Sequence, residues 1–318
     1  MKLYVTKLAF PFVIGFLTAC DANNIEPQLD HRLTETELKQ VQSAKTVKEN
    51  VLVFGFDVRS SMLEDAKQYI PFLSYLEKKT GYKFKLKFTP KHGRIISELG
   101  EGKIHFAAIG AASYIKAARK HDVMPLVRGL NDKNRAEYRS YLVVKKDSKL
   151  KSLKDISGKR FAFGSRTSTQ GHLIPRIIMQ EQGIGLADLK KHFYTGSHQN
   201  CAEAVLIDKA DVCGMQDTMA DELATTNSQL RILHRSSYYP SSGIAVNGNV
   251  DESIRNKVKK ALLEFKPKGR DEENLYNWDK TEMPNGFIEA RKKDYQELRE
   301  WMERLNMSLV NLTTEIAV

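Results

Sequence analysis

The chain has 318 residues, 41% of them hydrophobic and 28% charged, with a formal net charge of +11. That length exceeds what a single hydrophobic core ordinarily serves, so two lobes are expected, and the composition is that of an ordinary soluble globular protein. The basic excess could suggest nucleic acid as a partner, but Lys and Arg alternate with acids, as from Glu289 to Arg304, instead of gathering into one stripe, which argues against it.

Lys2 and Lys7 precede an apolar run from Leu8 to Leu17, closed by the small residues of Leu17-Thr18-Ala19-Cys20, which is the layout of a secretory signal. The run is too short to cross ~30 Å of hydrocarbon as a helix. Its last four residues resemble a bacterial lipobox, which implies cleavage before Cys20 and lipidation of that cysteine; more than one acyl chain anchors stably. Residues 1–20 hold two lysines and no acids, so their loss lowers the charge from +11 to +9. The remaining excess reads as solvated faces with a mild pull on anions and anionic headgroups. From Asp21 to about Asn50 the chain is polar and poor in aromatics, with a short helical pattern around Thr34 to Val41, and is expected to be a tether.

From Val51 the pattern changes. VLVFGF reads as a buried strand, Glu64 to Thr80 repeats apolar residues at helical spacing, and YKFKLKF alternates as a strand. Lys103 to Ile109 is a further strand, and Tyr114 begins a helix. Strand and helix alternate, so largely parallel, helix-covered sheets are expected. Tyr138 to Lys145 is long enough to leave one lobe and enter another, and the stretch from Ser236 to Val246 reads as the returning crossover, after which helices from Asp251 and Asp294 complete the first lobe. The expected division is signal 1–20, tether 21–50, first lobe 51–140 with 236–318, and second lobe 141–235.

Within the second lobe two segments stand out: Phe161 to Met179, and Thr195 to Gly214. Each reads as a strand, a turn rich in Gly, Ser and Thr, then a helix, so each aims bare backbone N–H groups and hydroxyls out of a helix N-terminus. Two such ends facing one cleft make an oxyanion trap. Ser168 and Thr169 supply hydroxyl donors beside a positive helix end, although either can serve simply as a cap. No Gly-Lys-Ser/Thr closes the turn, which excludes a Walker-type phosphate loop. Ser197-His198 opens the next helix, where an imidazole can donate to an anionic oxygen.

These words also carry a resemblance. Ser168-Thr169-Gln170-Gly171-His172-Leu173 with Pro175, Gly196-Ser197-His198, Ala204-Val205, Lys209-Ala210-Asp211, Ile109 to Tyr114, Leu153 to Phe163 and Asp294-Tyr295 together resemble the periplasmic phosphonate, phosphite and phosphate binding proteins of ABC importers. The likeness covers roughly Val51 to Leu305. It implies an α/β fold of the two-lobed periplasmic binding protein type II class, each lobe a mostly parallel sheet flanked by helices, joined by two crossover strands. It implies ligand contacts from Ser168, Thr169, Gln170, Ser197 and His198, with Ser113 and Tyr114 from the first lobe, and no cofactor, metal or catalytic residue. Departures from the family pattern add further candidates. His92 stands where relatives place an aromatic, Arg166 precedes the first word, and Ser241-Ser242 occupy the crossover where aminoalkylphosphonate binders have an acid. Asp217 is the nearby carboxylate that can substitute.

Cys201 and Cys213 fall on the helix and strand of one local unit. They can pair in an oxidising compartment, stay as two buried thiols, or form a soft-metalloid or redox-sensing site. The reading that follows is a monomeric, exported, lipid-anchored binding protein on the outer side of the cell membrane, closing on a small phosphorus oxyanion and delivering it to an ABC permease. The rival is a ligand-sensing partner of a membrane histidine kinase, for an arsenic-type oxyanion. An exported hydrolase is disfavoured, since Ser168 and His198 lack a positioned third member.

Overall fold

The computed structural model describes residues 51–57, 61–89, 94–226 and 229–307. The expected signal, the expected lipidation site Cys20, the expected tether and His92 lie outside the described residues. No helix among the described residues is long and apolar enough to cross a membrane.

Thirteen strands are described: β1 Val51–Phe56, β2 Lys83–Leu86, β3 Phe106–Ile109, β4 Val123–Gly129, β5 Glu137–Tyr138, β6 Ser140–Lys145, β7 Arg160–Phe163, β8 Lys191–Tyr194, β9 Val212–Gln216, β10 Leu230–Arg235, β11 Tyr239–Pro240, β12 Gly243–Asn247 and β13 Phe287–Glu289. The α-helices are α1 Met62–Thr80, α2 Arg94–Gly100, α3 Ala111–Lys120, α4 Ile174–Glu181, α5 His198–Leu206, α6 Asp217–Thr226, α7 Glu252–Glu264 and α8 Gln296–Arg304. They serve two lobes. One sheet has the order β13-β4-β12-β3-β1-β2, the other β10-β6-β9-β7-β8, and β5 and β11 pair as a separate two-stranded ribbon.

The pairs β1–β2, β1–β3, β7–β8 and β7–β9 are parallel, as strand–helix alternation predicts. Every pair made by β12 or β6 is antiparallel, and so is the edge pair β13–β4. The sheets are therefore mixed rather than mostly parallel. A strand that crosses from the other lobe enters its new sheet against the direction of the βα units. The predicted crossover from Tyr138 to Lys145 is likewise two pieces, broken at Arg139, whose Nε donates to the Ser236 carbonyl at 2.6 Å. The return path also breaks, with Tyr239 opposite Tyr138 in the ribbon before β12 begins.

Local chemistry accounts for these elements. Helix α1 starts at Ser61, whose Oγ accepts from the Glu64 N–H at 3.2 Å, and stops at Gly81, which adopts φ 72°. Strand β2 is an edge strand that turns Lys83 and Lys85 to solvent, a guard against pairing with other chains. The first lobe's core is aromatic: Phe72 stacks on Trp278 at 4.8 Å, and both meet Phe265. In the second lobe Phe161, Phe163, Leu142 and Ile177 are fully buried. Cys201 and Cys213 form a disulfide, with Cα atoms 5.7 Å apart. Both are wholly buried, so the soft-metalloid reading fails: a bonded pair out of contact with solvent offers a ligand no thiolate.

Candidate functional site

The N-terminal caps of three helices, Gly110, Ser168 and Ser197, line one small pocket of about 40 Å³. That is little more than one water's share of the liquid, so the site admits a small group or opens to admit more. Gly110 ends β3 in the first lobe and caps α3. Ser168 follows β7 and caps a π-helical turn, Thr169–Leu173, that runs directly into α4. Ser197 follows β8 and caps α5. Each cap stands beyond the carboxyl end of its strand, where open α/β sheets present ligands to helix N-termini.

Ser168 Oγ accepts from the Gly171 N–H at 2.8 Å, and Ser197 Oγ from the Asn200 N–H at 3.1 Å. Both serines therefore cap, yet a hydroxyl that accepts retains its own hydrogen to donate. Thr169 Oγ1 accepts from the Ala112 N–H at 2.9 Å, so the start of α3 in one lobe is joined directly to the loop that follows β7 in the other. His198 is 7% exposed, and its Nδ1 accepts from the Gln216 N–H at 3.3 Å. That contact assigns the proton to Nε2, the nitrogen able to donate.

Glycine is required at two positions. Gly196 has φ 86°, a left-handed conformation costly for any side chain ahead of Ser197. At Gly171 the constraint is steric instead. A Cβ there would stand 2.9 Å from Ser168 Oγ, 3.0 Å from His198 Cε1 and 3.1 Å from Gly164 Cα. The glycine thus lets the segments that open at Ser168 and Ser197 pack against each other.

Other candidates are placed elsewhere. Gln170 reaches the pocket wall, but its Nε2 donates to the Arg139 carbonyl at 2.8 Å and to Asp217 Oδ1 at 3.1 Å. Asp217 also accepts from the Arg139 N–H at 3.0 Å; burial raises its carboxyl to about 6, and it faces the crossover strand rather than the pocket. It does not replace the missing crossover acid. Ser113 is fully buried within α3, away from the pocket, and Tyr114 lines a different cavity, where its ring meets Tyr295 at 4.6 Å. Arg166 points away as well, its guanidinium lying 4.2 Å over the Tyr194 ring.

Sequence reasoning missed two acids. Asp57, just beyond the end of β1, accepts from the Gly110 N–H at 3.2 Å, and Glu282 is 8% exposed; both line the pocket, with Tyr138 and Ser242 beside them. Asp57 was detectable, since it follows the first buried strand at its carboxyl end. Glu282 had no local signal. Among the described residues the lining carries these two carboxylates and no Lys or Arg.

Replacing Ser168 by Ala together with Thr169 by Val is expected to weaken oxyanion binding by about 3 kcal/mol or more, since hydrogen bonds to a charged group contribute roughly 1.5–3 kcal/mol each. Loss of the cap should cost the fold about 1 kcal/mol. Calorimetry and urea unfolding separate the two effects, and unchanged affinity would make both hydroxyls purely structural.

A family described as "ABC transporter, phosphonate, periplasmic substrate-binding protein" matches residues 56–295. The phosphonates-binding periplasmic protein of Escherichia coli is 28% identical over 226 residues, covering 68% of this chain and 67% of the relative. The phosphate-import protein PhnD of Mycolicibacterium smegmatis is 26% identical over 206 residues, 60% of this chain and 64% of the relative. Among solved structures, PhnD1 from Prochlorococcus marinus in complex with methylphosphonate superposes with a TM-score of 0.73 at 21% identity, covering 81% of this chain and 99% of that one.

Proposed function

Because the chain belongs to the family of periplasmic phosphonate-binding components of ABC transporters, we propose that it captures a small phosphonate in the cleft between its lobes and delivers it to an ABC permease. The observation that carries this is the convergence of three helix N-termini on one pocket, two from the second lobe and one from the first. Fixed N–H dipoles and hydroxyls replace the water an oxyanion loses on entry. Ser168, Thr169, Ser197 and His198 Nε2 are the donors, and contacts from both lobes are complete only when the lobes meet, so ligand favours closure.

Asp57 and Glu282 narrow the ligand. Two carboxylates in a lining that, among the described residues, carries no Lys or Arg disfavour a bare dianion and favour one that brings its own positive charge, as an aminoalkylphosphonate does. We therefore assign the oxyanion to the helix ends and the ammonium to Glu282 and Asp57. Lobes of residues 51–140 with 236–318 and 141–235, a monomeric state, and a lipid anchor at Cys20 after a tether of residues 21–50 complete the reading. The sensor reading loses its support with the disulfide.

Calorimetry tests the ligand. Aminoethylphosphonate should bind at least about tenfold more tightly than methylphosphonate or phosphate, the equivalent of one charge-assisted contact. Glu282→Gln should erase most of that preference. Tightest binding of phosphate, with Glu282→Gln indistinguishable from wild type, would overturn the assignment.

A further inference from the structure

Behind the loop of residues 165–167 lies a second cavity of about 720 Å³, within the size range of small-molecule sites. Ser165, Thr167 and Gly196 line both cavities, so the two stand back to back across a shared wall. The larger one is bounded by α3 and α8 on one side and by residues 165–167 and 194–196 on the other, which brings both lobes to its lining.

Its floor is apolar, built from Ile96, Ile115, Val123, Met302 and Met307. Its lining also carries Lys116, Arg119, Arg166 and Arg299, none of which makes an ion pair within 4.0 Å among the described residues, although Asp57 acts on Lys116 from the neighbouring pocket; Asp122 and Glu303 are the acids of the lining. Lys116 Nζ gives one hydrogen to the Arg166 carbonyl at 3.2 Å, which leaves two donors. Tyr114 is 2% exposed, and its hydroxyl has no hydrogen-bond partner among the described residues. A buried, unsatisfied hydroxyl is costly unless a ligand completes it. None of these groups is needed to hold the phosphonate.

We propose that this cavity is a second ligand site, taking an organic anion with an apolar or aromatic body, its charged end among Lys116, Arg166 and Arg299 and its body on the floor beside Tyr114. An occupant would touch both lobes. It would therefore favour the arrangement in which they meet, and by thermodynamic reciprocity it would strengthen phosphonate binding as phosphonate strengthens its own.

Anilinonaphthalene sulfonate is a suitable probe, being an aromatic anion whose fluorescence rises in apolar surroundings and too bulky for the small pocket. The full-length protein should bind it saturably at one site, with Arg299→Glu weakening binding at least about tenfold and Tyr114→Phe by a smaller factor, an expectation scaled on one charge-assisted contact. Ser168→Ala should leave dye affinity unchanged, methylphosphonate should not displace the dye, and saturating dye should tighten phosphonate binding several-fold. Unsaturable binding, displacement by methylphosphonate, or dye affinity unaffected by both Arg299→Glu and Lys116→Met would overturn the proposal. Failure of the phosphonate reading is separate: it appears as absent heat with every phosphonate while the dye titration stands.

Discussion

Replacing His172 by Gln is expected to remove much of the protein's acid sensitivity. His172 is 4% exposed; its Nδ1 contacts the Arg166 carbonyl at 3.0 Å, and its Nε2 faces the Tyr194 hydroxyl at 3.0 Å. The neutral ring can donate to the carbonyl and accept from the hydroxyl. Burial pushes its pKa down to about 3, against an ordinary value near 6.5 in the unfolded chain. A depressed pKa contributes stability that is complete above about pH 6.5 and is lost as pH falls towards 3, because the unfolded chain takes up a proton the folded one refuses. At about 1.36 kcal/mol per unit, the wild type should lose about 2.5 kcal/mol through this residue between about pH 7 and about pH 4.5. Glutamine can keep one donor and one acceptor but does not titrate. Urea unfolding of both proteins at the two pH values should show the difference, and parallel losses would mean that His172 does not control acid stability.

Gly171→Ala should damage binding more than any single hydroxyl deletion. The added methyl would meet Gly164 Cα at 3.1 Å, and that backbone cannot yield easily, because the Gly164 N–H donates to the Gly171 carbonyl at 2.8 Å. Ser168 Oγ and His198 Cε1, at 2.9 and 3.0 Å, must then give way. Overpacking of this kind costs about 1–3 kcal/mol of stability. Both displaced groups are proposed donors, and each also accepts a backbone N–H that fixes its direction. Phosphonate affinity is expected to fall by about a hundredfold, with a melting temperature lowered by several degrees. A folded variant with wild-type affinity would detach the packing of these two segments from recognition.

What could be read in advance divides along physical lines. Ser168 and Ser197 were legible because a cap, its turn and its helix are neighbours in sequence, so the signal is local. Strand direction was not. The apolar pattern of the Tyr138–Lys145 segment is the same for either orientation, and only the path between lobes makes β6 antiparallel to β9. Side-chain direction was equally hidden at Tyr114, where being in the right turn of α3 did not mean facing the right cavity. Glu282 reaches the pocket from a stretch between α7 and β13 with little regular structure, and periodicity has nothing to say about such a segment. For Cys201 and Cys213 the missing quantity was a distance, which the packing of α5 on β9 supplies.

The bond from the Ala112 N–H to Thr169 Oγ1 has a consequence for transport. It ties one lobe to the other with protein groups alone, so the carrier has a reason to shut while empty. A net contribution of about 0.5–1.5 kcal/mol would shift the ratio of shut to open molecules by roughly two- to twelvefold. If the protein delivers its ligand to a permease as proposed, an empty molecule in the shut form would turn cargo away and present the membrane complex with the outline of a loaded one. On the proposed reading, the strength of this contact, with the bond from Lys116 Nζ to the Arg166 carbonyl, would help to set how often a transporter is visited by a carrier with nothing to deliver.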